Sequence, residues 1–211
     1  MKALNEYSFA KSGADTKKIV IFLHGYGADG KDLISIAPMW SEHLPNTTFY
    51  APNAPEPCEM SPQGFQWFSL RDRSPHAMQQ GADKAHEVLK TYIQQKCDAH
   101  GLTMADVAVV GFSQGTMMAL YSLPRMNAPC AGIVGFSGRA VSAPPQDASP
   151  FPIVAIHGKR DEVVPFESLQ HLADTFGGWN VATFERPHLG HGIDEDGLKT
   201  GFDFLKTHLK A

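Results

Sequence analysis

The sequence has no basic run, no apolar stretch of membrane-spanning length and only three cysteines, Cys58, Cys97 and Cys130. Each absence removes a class of function. A chain without clustered Lys and Arg, and with a formal net charge of −4, lacks the electrostatic footprint of a nucleic-acid binder. Without roughly twenty consecutive apolar residues, no stable membrane insertion is expected. The opening, MKALNEYSFAKSG, has neither an apolar h-region nor an Ala-x-Ala site, so no signal peptide is expected. Three widely spaced cysteines do not make a disulfide framework, and small buried thiols in a reducing, cytoplasmic setting are expected instead. No linker, internal repeat or low-complexity tract interrupts the chain. At 211 residues, with 43% hydrophobic and 19% charged residues, it is expected to form one globular α/β domain spanning 1–211.

What is present is alternation. KKIVIFLHGYG reads as a buried strand ending in a tight turn. Residues 30–44 have helical spacing, with Pro38 bending or splitting the helix. TTFYAPNAP is a second strand. The Pro-rich stretch 51–75 has no period, which suits a functional loop. A helix over 76–97 follows, with Val88, Leu89, Tyr92 and Ile93 suggesting its buried face. DVAVVGFSQG is the third strand and 114–123 its helix. AGIVGFSG and FPIVAIHG are the next two strands. A helix over 166–176, the strand NVATFERP and an amphipathic helix over 194–209 complete the chain. Alternating strands and helices predict a mostly parallel sheet covered on both faces, with a site at the C-terminal strand ends.

One strand ends oddly. Ser113 lies within Gly-Phe-Ser-Gln-Gly, between a β-branched run and a helical run. A serine that must stand proud of a sheet needs small neighbours, which is the logic of the G-x-S-x-G nucleophile elbow. Such a serine needs a base and an acid, in the chain order Ser, Asp or Glu, His. Asp161 follows the fifth strand, with Glu162 beside it. The loop after the sixth strand offers His188 and His191, and glycines flank His191 on both sides. His191 would take the Ser113 proton and return it to the leaving group, while Asp161 fixes the imidazole tautomer. The backbone N–H groups of Gln114 and Tyr26 are candidates for the oxyanion hole. His24 and His157, in LHG and IHG, read as hydrogen-bonded structural histidines. His188 and His191 with Asp194 and Glu195 nearby suggest a metal site, but no third ligand has convincing spacing. Ser137 is a decoy, because GFSG also ends a strand.

HGYGADG, GFSQG, HGKRDEVVP and GHGI, in this order, resemble the phospholipase/carboxylesterase family of α/β-hydrolases, the group that includes acyl-protein thioesterases. The resemblance runs from about residue 17 to 208 and implies an α/β-hydrolase fold. It implies Ser113, Asp161 and His191 as the triad, Tyr26 and Gln114 as oxyanion donors, and no cofactor or metal. FQWFSL is similar to the family's tryptophan-aromatic motif. Tyr26 stands where the family often has leucine, and Gly192 where a serine often follows the histidine. Dimers are common in the family, so a homodimer is an expectation.

The leading expectation is a serine carboxylesterase acting on small acyl esters or thioesters through an acyl-enzyme. The alternatives are a lysophospholipase or acyl-protein thioesterase with a longer acyl channel, and a non-catalytic hydrolase-fold module that binds an apolar ligand or a partner. The loop 51–75 carries Met60, Phe65, Trp67 and Phe68, and is expected to wall the acyl site, since a solvated linker would not hold so many large apolar groups.

Overall fold

The structure, a computed structural model, describes residues 4–11, 13, 15–126 and 128–209. Along them run β1 (Glu6–Ala10), β2 (Lys18–Leu23), α1 (Gly30–Ile34), α2 (Ala37–Ser41), β3 (Thr47–Pro52), β4 (Glu56–Pro57), β5 (Phe65–Gln66) and α3 (Pro75–His100). After these come β6 (Val107–Phe112), α4 (Gln114–Ser122), β7 (Gly132–Phe136), β8 (Ile153–Gly158), α5 (Glu167–Thr175), β9 (Val181–Arg186) and α6 (Glu195–His208). Seven strands form one sheet in the order β1-β3-β2-β6-β7-β8-β9. Its neighbours are parallel except for β1, which runs antiparallel to β3 at the edge.

Burial on both faces explains why the central strands read as unbroken apolar runs. Ile19, Ile21 and Leu23 of β2 and Val107 and Val109 of β6 point to the side of α3, α4 and α5. Their alternates, Val20, Phe22, Ala108 and Val110, point to the opposite core with Leu33, Trp40 and Leu205. Helix ends carry their own signals. Ser74 caps α3 by accepting from the Ala77 N–H, with Pro75 just inside, and Gly101 closes it at φ 65°. Asp194 caps α6 through the Gly197 N–H at 2.9 Å. Pro38 does split the 30–44 segment, and it stands in the first turn of α2, where a missing N–H costs nothing. All three cysteines are buried and unpaired. Burial pushes the Cys130 thiol up to about 12 and raises Cys97 as well.

Two features lack a sequence signal. The side chains of β1 are mostly exposed, so this edge strand shows no burial alternation. The 51–75 loop contains a minimal antiparallel hairpin, β4 with β5, pairing Glu56 with Gln66 and Pro57 with Phe65.

Candidate active site

Ser113 joins β6 to α4 at φ 53° and ψ −113°, a region that a non-glycine residue enters only when its surroundings hold it there. Its N–H is tied to the Phe136 carbonyl of β7 at 2.9 Å. The glycines on either side are demanded by contact. A Cβ at Gly111 would lie 2.5 Å from the Thr116 nitrogen, and one at Gly115 would lie 1.8 Å from the Leu23 carbonyl oxygen. Helix α4 therefore presses directly on the sheet, and the serine turns outward into a cavity.

The parallel strands β8 and β9 bring their C-terminal loops together. His191 Nδ1 lies 2.8 Å from Asp161 Oδ2. The other carboxylate oxygen, Oδ1, accepts the N–H groups of Val163 at 2.9 Å and Val164 at 2.8 Å. Burial pushes the Asp161 carboxyl up. The bond with His191 and the Val164 and Val163 amides outweigh that and hold it below the ordinary value. Because the carboxylate can only accept, the proton of neutral His191 sits on Nδ1, which leaves the Nε2 lone pair free to accept a proton. The His191 ring packs against Phe112, the residue before Ser113, with centroids 5.0 Å apart. His188 lies elsewhere, with its Nδ1 3.4 Å from Arg160 Nη2.

Tyr26 follows β2 and also reaches the cavity. The turn there is closed by Gly27 N–H on the Phe65 carbonyl and Ala28 N–H on the Gly25 carbonyl. The Gln114 N–H opens α4, where first-turn amides have no partner within the helix. The Gln114 side chain is fully buried and accepts the Trp67 N–H at 3.0 Å while donating to the Phe68 carbonyl at 2.7 Å. Trp67 Nε1 donates to the His24 carbonyl at 3.0 Å.

Ser113 and His191 open into a cavity of about 740 Å³. Its apolar wall includes Met60, Leu70, Phe112, Met117, Val163, Val164 and Pro165, and its polar wall Tyr26, Glu59, Arg71, Arg73 and Arg139. Of the four loop side chains expected to form a wall, only Met60 does so, 74% exposed at the rim. Trp67 and Phe68 are buried in the core beneath α3 and α4, and Phe65 packs partly against the same core. The clamp from Gln114 and the Trp67–His24 bond turn these aromatics inward, away from the cavity.

The phospholipase/carboxylesterase family model matches residues 5–209. The chain belongs to the phospholipase/carboxylesterase family.

Within the family's range, the crystal structure of esterase PE8 is 39% identical, covers 98% of this chain and 99% of its own, and superposes with a TM-score of 0.88. Acyl-protein thioesterase 1 of Debaryomyces hansenii is 25% identical over 95% of both chains. Esterase YpfH of Escherichia coli is 24% identical over 90% of this chain and 82% of its own. The mostly parallel sheet with helices on both faces is the α/β-hydrolase fold.

Family motifs do not reveal the supporting groups. His157 Nε2 hydrogen-bonds the Val164 carbonyl at 3.0 Å and lies 3.2 Å from Asp161 Oδ2, so a second imidazole packs against the carboxylate. Ser137 also has positive φ, 48°, and its Oγ donates to the Gly192 carbonyl at 3.2 Å, beside His191. Tyr26 Oη donates to Glu59 Oε1 at 2.8 Å, and burial together with that bond raises the phenol well above its ordinary value. His24 accepts the Ala54 N–H on Nε2 at 2.9 Å and meets the Gly25 carbonyl through Nδ1 at 2.7 Å, which fixes it as a neutral structural ring.

Proposed function

We propose that this protein is a serine carboxylesterase that hydrolyses short- to medium-chain acyl esters through the triad Ser113, His191 and Asp161. Family membership makes it a carboxylic ester hydrolase; the triad, the acyl range and the residue roles are our reading. The observation that carries it is the 2.8 Å contact between Asp161 and His191 beside a serine held at positive φ, opening into one cavity.

In this mechanism His191 Nε2 takes the Ser113 proton as Oγ attacks the ester carbonyl carbon. The Tyr26 and Gln114 N–H groups receive the oxyanion of the tetrahedral intermediate. His191⁺, stabilised by Asp161, protonates the departing alkoxide, and the acyl group remains on Ser113. Water then attacks the acyl-enzyme with His191 as base. The carboxylic acid leaves, and Ser113 regains its proton. The apolar wall formed by Met117, Leu70 and Pro165 supports an acyl chain, and residues 5–209 supply all of these groups from one catalytic domain.

A series of esters and thioesters of graded acyl length tests the reading. A kcat/KM maximum at short to medium esters is expected. A maximum at long-chain acyl thioesters would replace it with the acyl-protein thioesterase reading. Absence of turnover with every acyl donor would favour a non-catalytic module. The substrate is proposed to be a small acyl ester or thioester; among the described residues no helix is long and apolar enough to cross a membrane.

A further inference from the structure

The cavity that holds Ser113 and His191 carries more positive charge than ester hydrolysis requires. Three arginines line it, Arg71, Arg73 and Arg139, with a single carboxylate, Glu59. Glu59 is already occupied. It accepts from Tyr26 Oη at 2.8 Å, from Ser69 Oγ at 2.9 Å and from the Leu70 N–H at 3.2 Å, and it pairs with Arg71 Nε at 3.2 Å. Glu59 and Arg71 therefore cancel.

Arg73 and Arg139 have no such partner. Among the described residues no carboxylate stands within ion-pair distance of either; the one arginine–carboxylate pair in the cavity is Arg71 with Glu59. Arg139 is half-buried, and its Nη2 donates to the Met78 thioether, a weak acceptor, at 2.8 Å. Arg73 Nε has only the Leu70 carbonyl, at 3.4 Å. The two arginines line the same cavity, and burial, then the charge of Arg73, lower the Arg139 pKa. A half-buried cation with no carboxylate in ion-pair distance keeps its charge uncompensated by the protein and favours an anion brought into the cavity. The imbalance is local, because the whole chain carries a net charge of −4.

The position suits a substrate contact. Arg139 comes three residues after the end of β7, whose Phe136 is in register with Phe112 of β6, the residue before Ser113. Met117, Val164 and Pro165 line the same cavity and offer apolar surface for an intervening chain. A guanidinium presents a planar fork that matches a carboxylate or phosphate.

We propose that this cavity takes esters bearing an anionic group, a carboxylate or a phosphate, away from the scissile carbonyl, with Arg139 and Arg73 as its partners. The proposal rests on the reading of Ser113 as the nucleophile. It makes Arg139 and Arg73 specificity-determining residues and places the reacting bond and the charged group in one cavity.

The test compares each charged ester with a neutral counterpart. On the acyl side the pair is monoethyl adipate and ethyl adipamate, which keeps the ethyl ester and replaces the free carboxylate by a primary amide. On the alcohol side it is the butyrate esters of glycolate and glycolamide for a carboxylate, and for a phosphate the butyrate ester of glycerol phosphate is set against that of glycerol. The protein should favour the charged member of at least one pair by about tenfold in kcat/KM, the worth of one charge-assisted hydrogen bond. The pair that responds identifies the side of the ester that carries the charge. Arg139→Gln and the exposed Arg73→Gln should each reduce that ratio, and added salt should reduce it in the parent protein. Equal or better turnover of the neutral member in every pair would overturn the proposal, as would a preference that survives both substitutions. If neutral esters are turned over and Ser113 is labelled by a fluorophosphonate, only this inference falls. If neither occurs, the nucleophile reading falls with it.

Discussion

The backbone N–H of Trp67 donates to Gln114 Oε1 at 3.0 Å, and the Gln114 amide donates in turn to the Phe68 carbonyl at 2.7 Å. The residue after the elbow serine, the first of α4, thus clamps the aromatic loop with its side chain. Trp67 supports the site from beneath, whereas Met60 stands at the cavity rim. Trp67→Ala should cost about 3–5 kcal/mol of stability and slow all esters by similar factors. Met60→Ala should leave stability nearly unchanged and shift the acyl-length profile. Denaturant unfolding and a kcat/KM series on both variants check this. A changed profile in Trp67→Ala with an unchanged one in Met60→Ala would reverse the assignment.

The contact between Asp161 and His191 predicts a ranking of the two loop histidines. His191→Ala should lower kcat by several orders of magnitude, because members of a triad act as a unit. His188→Ala, which loses only a contact with Arg160, should stay within a few-fold of the parent. Steady-state kinetics on one good ester decide it, and the opposite order would refute the base assignment.

Much of this arrangement is legible in the sequence for physical reasons. Strands buried on both faces announce themselves as apolar runs, and the elbow needs Gly111 and Gly115 because α4 presses on the sheet. Chain order then leads to Asp161 and His191. The glycines flanking His191 are a weaker guide. A Cβ at Gly190 or Gly192 would meet nothing nearer than 3.6 Å, so space does not demand them. The inward turn of Trp67 is not legible, because it depends on a side chain 47 residues away. The same holds for Glu59, which gathers Tyr26, Ser69 and Arg71 across the loop, and for β1, whose exposed side chains carry no burial pattern.

Ser137 is predicted to be a positioning residue, acting through the Gly192 carbonyl. Ser137→Ala should lower kcat roughly tenfold by loosening the His191 loop, with little change in KM. Fluorophosphonate labelling of Ser113 should persist, more slowly. Unchanged kcat would mean the bond does not hold the loop.

Stability should fall on mild acidification. Burial, the first cause in each case, holds His24 and His86 below the ordinary histidine value. Such a histidine takes up its proton more readily when unfolded. Its contribution to stability is full above the unfolded value of about 6.5 and is lost as pH falls from there towards the folded value. The urea midpoint should therefore drop between about pH 7.5 and pH 5.5, and drop less in His86→Gln. Identical pH slopes in the two proteins would show that His86 makes no such contribution.

The central claim is that Ser113, and not Ser137, is the nucleophile. Both serines end a parallel strand at positive φ, and Ser113 shares the cavity with His191. The most direct measurement is peptide mass spectrometry of the protein after reaction with a fluorophosphonate, alongside Ser113→Ala. One adduct is expected, on the peptide containing Ser113, and neither adduct nor ester turnover in the variant. An adduct on Ser137, or labelling that persists in Ser113→Ala, would contradict it.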